Sequence, residues 1–387
     1  MLAIRPLSTA TVALAILAVL AVVVSPSAQS QTFTSLYSFK GSPDGATPLA
    51  NPILAKGRVV YGTTEAGGSS SFGTIYSFSS GTETVLYNFT NSSDGAEPFA
   101  GLVMDESGTL YGTAIGGGSS GAGTVFSFSS GTFTTLYSFT GGTDGGYPFG
   151  GLVLDKKGNL YGTTQLGGSS GFGTVFEVNI SSKTETVLYS FTGGSSDGEY
   201  PGYGYLLRDK SGNLYGMTQQ GGAYNLGTLF EVSAKGKETV LHSFASGTDG
   251  AFGFEQSLAT DDKGNLFGTC QDGGTSNAGV VFKLNIKSKK ETILYTFTGG
   301  ADGGYPASGL VRDSKGNLFG TTQIGGANND GVVFVVKGKK ETVLHSFDGT
   351  DGSSPLTSPL VEFKGTLYGS TIGGGADGDG TIFSLKP

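Results

Sequence analysis

The sequence predicts an all-β chain, a seven-bladed β-propeller of four-stranded blades, on three observations. A short phrase, "LYGTT" in its plainest form, returns seven times; each period carries four short apolar runs between turn residues; and the two ends of the array are fragments of one period. The aromatic-glycine pairs of the phrase begin at Tyr61, Tyr111, Tyr161, Tyr215, Phe267, Phe319 and Tyr368, at intervals of 50, 50, 54, 52, 52 and 49 residues. A sustained period of this length marks a repeat architecture before any other reading.

The first segment lies outside the repeat. Arg5 precedes an uncharged apolar run from Ala10 to Val24, and Ser25-Pro26-Ser27-Ala28 follows. A basic start, a 15-residue apolar stretch and a small-residue zone have the form of a secretory signal over residues 1–28. A spanning helix wants about 20 apolar residues, so a cleaved leader is expected rather than an anchor. The mature chain is then expected to be secreted or periplasmic, with no membrane span.

Residues 29–387 hold seven periods and form one domain. Loss of Arg5 with the leader moves the net charge from −8 to −9, and an acidic chain repels phosphate backbones, so nucleic acid is not an expected partner. The 69 glycines would mark low complexity if aperiodic, but here they fall at fixed places among Phe, Tyr, Val and Leu and mark tight turns. Cys270 is the one cysteine, so no internal disulfide forms and the thiol, in "FGTCQ", reads as a small buried side chain.

One period gives the blade. "GLVLD" (Gly151–Asp155) is apolar and short, and Lys156-Lys157-Gly158-Asn159 supplies a turn. "LYGTT" (Leu160–Thr164), the loop "QLGGSSGFG", "TVFEV" (Thr174–Val178) and the alternating "ETVLYSF" (Glu185–Phe191) complete it. Four strands bounded by Gly, Ser, Asn and Asp form a meander, and apolar residues on both faces of the inner strands imply a sheet sandwiched between neighbours.

Two aspartates recur. An Asp-Gly recurs at one fixed place in each period, at Asp44, Asp94, Asp144, Asp197, Asp249, Asp302 and Asp351, with Pro three places after the Gly in six copies. Asp bonding nearby amides, Gly at positive φ and Pro fixing the next strand describe a turn between blades. One Asp per blade is too sparse for calcium, which takes 6–8 oxygens. The second set, Asp105, Asp155, Asp209, Asp261 and Asp313, reads as hairpin chemistry within the blade.

The ends close the ring. The array opens with "TFTSLYSF", a copy of the fourth strand, and finishes with "GTIFSLKP", a copy of the third. Residues Phe33–Phe39 are therefore expected to complete the last blade, and a closed ring of this kind is expected as a monomer. The pattern "LYGTTxxGGxxxxGTVFxxxxxxxETVLYSFxGxxDGxxPxxGLVxDxxGN" resembles the GloVer-type tandem repeat of exported bacterial proteins, across the whole array. The resemblance implies export and a propeller-like fold; it implies no activity.

Function on a symmetric ring is sought where one copy breaks the pattern. His242 and His345 replace an outer-strand aromatic in "LHSF" and read as packing residues, and no motif for a metal, a cofactor or a nucleophile is present. Blade four adds Tyr203 and Tyr205 in "EYPGYGYLLRD" and Tyr224 in "QQGGAYNLG"; blade five adds Glu255 in "FGFEQS" and Asp272 in "CQDGG". Aromatics beside carboxylates suit a neutral polar ligand that stacks on rings and hydrogen-bonds at its edges. The expected function is an exported binding module for carbohydrate or peptide ligands on its loop-rich face, the partner being a polysaccharide, glycan or protein, with no catalytic residue, no cofactor and no bound metal. A glycosidase or lyase using channel carboxylates, and a purely structural envelope protein, are the alternatives. Asp377 and Asp379 in "GGGADGDGT" have a calcium-like composition without the spaced ligand set.

Overall fold

The computed structural model describes residues 31–50, 52–55, 59–252, 257–356 and 359–387, and every regular element within them is a β-strand. The expected leader and Glu255 lie outside the described residues. Seven antiparallel four-stranded blades form a propeller, as the period predicts. In blade three a two-residue inner strand, Val153–Leu154, pairs with Asn159–Thr164; this pairs with Thr174–Asn179, and that with the outer strand Thr184–Ser190.

The repeated phrase has a packing reason at each position. The ring tip of Phe176, on the third strand, fills the space above Gly162, and a Cβ there would stand 2.6 Å from Cζ. The Tyr161 hydroxyl donates to Asp155 at 3.1 Å, while Asp155 Oδ1 takes the amides of Lys157 and Asn159 at 2.8 and 3.0 Å. The second recurring aspartate therefore closes its hairpin and ties down the phrase's tyrosine together. The last threonine, Thr164, bonds Thr174 across the sheet at 2.8 Å.

The preceding threonine reaches the next blade. Thr63 donates to the Ala100 carbonyl at 3.0 Å, Thr269 to that of Ser308 at 3.0 Å and Thr321 to that of Pro355 at 3.3 Å. Between blades lie seven apolar clusters, one for each interface of the ring. Each contains the phenylalanine that ends an outer strand; Phe39, Phe89, Phe139, Phe191, Phe244, Phe297 and Phe347 are all 0–1% exposed. They meet the next blade's third-strand aromatic, as Phe139 meets Phe176 at 5.1 Å and 65°. Edge-to-face pairs of this kind add to the area they bury.

Blade seven is assembled from both ends of the array. Val361–Phe363, Thr366–Thr371 and Thr381–Lys386 are completed by Thr32–Ser38, with Thr32 opposite Lys386 and Ser38 opposite Thr381. The closure expected from the split repeat is therefore the one observed. Cys270 is fully buried, as expected of a threonine substitute. Among the described residues no helix is long and apolar enough to cross a membrane.

Candidate functional site

The connector into each blade lies over that blade's own loop between its second and third strands. Ala46 bridges Ala66, Ala96 bridges Gly116, Gly146 bridges Leu166 and Gly304 bridges Ile324, so the two loop sets share one face. In blades four and five single bridges grow into strands: Gly198–Pro201 pairs with Leu214–Gly221, and Gly250–Ala251 with Asp272–Gly273. The blades whose sequences depart from the repeat thus depart in backbone too.

Three connectors meet at the channel mouth. Phe149 lies 4.3 Å from Tyr203, and Phe99 lies 5.3 Å from Phe149 and 5.2 Å from Tyr203, centroid to centroid. Phe99 belongs to the connector of blade two and Tyr203 to that of blade four. Contact that skips the intervening blade places the cluster near the ring axis. Gln165 of blade three donates from Nε2 to the Tyr203 hydroxyl at 3.1 Å.

Tyr205 stands where blades two, three and six carry glycine, and its ring lies against Gly151 so closely that no Cβ fits there. Its amide donates to Ser257 Oγ of blade five at 2.9 Å. The ring borders a cavity of about 530 Å³ whose lining includes Ile53, Val103, Met104, Val153 and Leu154 of the inner strands. That part of the wall, on blades one to three, is apolar.

Gln165 is the first of four. Gln219, Gln271 and Gln323 hold the same register position in blades four, five and six. Gln219 is 5% exposed and its Nε2 is buried without a hydrogen-bond acceptor. A buried donor left unpaired costs about 1–3 kcal/mol.

Of the residues singled out by sequence, Tyr203 and Tyr205 come together with the mouth. Tyr224 is on the blade-four loop, 62% exposed, in a turn pinned by Asn225 Oδ1 accepting the Gly221 amide at 3.0 Å. Asp272 is half-buried in the blade-five pairing, and burial pushes its carboxyl up from the ordinary value. Phe99, Phe149 and the glutamines were not singled out. Their signal was a run in neighbouring copies: Phe after the connector proline in two adjacent blades, Gln after the phrase in four.

The rim carries a different chemistry. Each Asp-Gly aspartate accepts from the outer-strand aromatic before it, as Asp44 does from Tyr37 at 2.7 Å and Asp144 from Tyr137 at 3.0 Å. His242 and His345 take the tyrosine's place, at 3.1 Å from Asp249 and 2.8 Å from Asp351. Glutamates of the next outer strand pack beside these aspartates: burial first, then the Asp44 charge, pushes Glu83 up to about 7, and Glu185, Glu238 and Glu341 behave alike. At the blade four–five rim His242, Asp249 and Glu291 converge.

Comparison with known proteins identifies the repeat. The profile of the Gloeobacter/Verrucomicrobia repeat matches residues 21–157, 142–334 and 206–387. No curated protein sequence matches the chain significantly. Solved structures share the fold at low identity. The extracellular domain of a putative hybrid two-component system from B. thetaiotaomicron aligns with TM-score 0.60 at 12% identity, over 92% of this chain and 41% of that one. The chain thus spans about two-fifths of that longer protein. An oligogalacturonate lyase from Vibrio parahaemolyticus aligns with TM-score 0.57 at 11% identity, over 93% and 94%.

Proposed function

The chain belongs to the Gloeobacter/Verrucomicrobia repeat family, and from that premise we propose that it is an exported, monomeric binding module whose channel mouth takes a neutral carbohydrate. One observation carries this reading: the rings of Phe99, Phe149 and Tyr203 pack together at the mouth, and the Gln165 amide is bonded to the Tyr203 hydroxyl. Sugars present apolar C–H faces that stack on rings and hydroxyl edges that bond to amides. The mouth offers both, above a cavity whose wall on blades one to three is apolar, the usual composition of a small-molecule site.

Tyr205 lies against Gly151 beside this site; in this reading Tyr224 and Asp272 extend it over blades four and five, and Glu255 is assigned to it from the sequence alone. Export rests on the leader-like segment of residues 1–28. The test is a glycan and polysaccharide array probed with the purified protein, with every bound species checked for products by mass. Binding without products supports the module; cleaved products would move the assignment to the glycosidase or lyase alternative. No binding to any glycan would remove the carbohydrate reading.

A further inference from the structure

We propose that His242, Asp249 and Glu291 form a binding site for a divalent transition metal, with zinc the best fit, at the rim between blades four and five. His242 comes from the outer strand of blade four, Asp249 from the connector, and Glu291 from the outer strand of blade five. His242 Nε2 stands 3.1 Å from Asp249 Oδ2 and 3.7 Å from Glu291 Oε2, and all three ligand atoms lie within 4.8 Å of one another. Bonds of about 2.0–2.2 Å in a tetrahedral site place ligand atoms roughly 3.3 Å apart, so an ion fits with little movement.

The donor set selects the ion. One imidazole and two carboxylates suit Zn²⁺, with water as the fourth ligand, and three donors are too few for Ca²⁺. Side-chain exposures of 21%, 17% and 12% leave the cluster reachable from solvent. A cation would also offset the repulsion of two carboxylates crowded together, and Glu291 Oε1 is buried without a partner of its own.

The ring supplies an internal control. Five of its seven interfaces place tyrosine where His242 stands, and tyrosine leaves an Asp with no imidazole beside it. At the other histidine, His345, the glutamate position holds Phe33, whose ring stacks on the imidazole at 3.6 Å. Histidine, aspartate and glutamate therefore meet at one interface. The cluster lies on the rim, apart from the aromatic mouth, so the site stands independently of the carbohydrate reading.

The experiment is calorimetric titration of the tag-free full chain, stripped with EDTA and desalted, with ZnCl₂ and separately with CaCl₂. One equivalent of Zn²⁺ is expected to bind. His242→Tyr, which installs the residue five other blades carry and so preserves packing, should weaken binding at least 100-fold. Glu291→Gln should weaken it at least tenfold, and His345→Tyr should leave it unchanged. Absence of stoichiometric Zn²⁺ binding, binding of Ca²⁺ alone, wild-type affinity in His242→Tyr, or equal loss in His345→Tyr would each overturn the site.

Discussion

Ser370 donates its hydroxyl to the Ala50 carbonyl at 3.2 Å, joining residues 320 positions apart. It is the inter-blade bond that Thr63 makes to Ala100, here repeated across the seam of the ring. The seam also holds Phe39, fully buried against Tyr76. Deleting residues 29–40 removes the outer strand of blade seven and exposes the edge of Thr381–Lys386. The truncated protein should aggregate or lose its single sharp thermal transition. A melting curve unchanged from the full chain would contradict closure.

The phrase itself is testable at its glycine. Gly162→Ala drives a methyl into Phe176, which is buried at 0% and cannot move without disturbing the contact with Phe139. Overpacking of this kind costs about 1–3 kcal/mol, and Phe176→Ala, which leaves a cavity, about 3–5 kcal/mol. Chemical denaturation should show both losses. The alanine at Gly158, where a Cβ meets nothing within 4 Å, reports the cost of its positive φ alone.

Stability should fall as pH rises from 5 to 8. In the fold Glu83, Glu185, Glu238 and Glu341 are pushed up to about 7, against an ordinary value of 4.5, by burial and by the aspartates beside them. A raised carboxyl favours its protonated form when folded. The native state therefore binds more protons between the two values, and its advantage is lost as they ionise. Asp94 and Asp144 act oppositely: burial opposes their ionisation, but threonine and tyrosine hydrogen bonds hold them below 3.8, so their contribution disappears in stronger acid. Urea unfolding should give a higher midpoint at pH 5 than at pH 8, and converting the four glutamates to glutamine should shrink the difference. A higher midpoint at pH 8 would contradict the assignment.

The architecture was legible because it is written seven times. Period, strand pattern and the split last blade follow from chain-local spacing, and closure by Phe33–Phe39 needed only the recognition that two fragments make one blade. The site was less legible because it is made of contacts between copies. Tyr203 and Tyr205 stood out as departures, but Phe99 and Phe149 become a cluster only when the ring brings three connectors to one axis. Gln165 likewise looked like repeat texture until its amide met Tyr203. His242 was rightly read as an aromatic replacement on the rim; that Glu291 stands 3.7 Å away depends on blade packing, which no single period encodes.

The central claim is that the channel mouth binds, and titration of a glycan found on the array measures it directly. Tyr203→Ala removes the ring that joins Phe149 to Gln165, and Tyr224→Ala removes the exposed ring on the blade-four loop; each should weaken binding tenfold or more. Gln165→Leu, which keeps volume and deletes the amide bonded to Tyr203, should do the same. Ser170→Ala, on the corresponding exposed loop of blade three, should leave affinity unchanged. Equal loss from Ser170→Ala and Tyr203→Ala, or no loss from Tyr203→Ala and Gln165→Leu, would contradict a ligand site at this mouth.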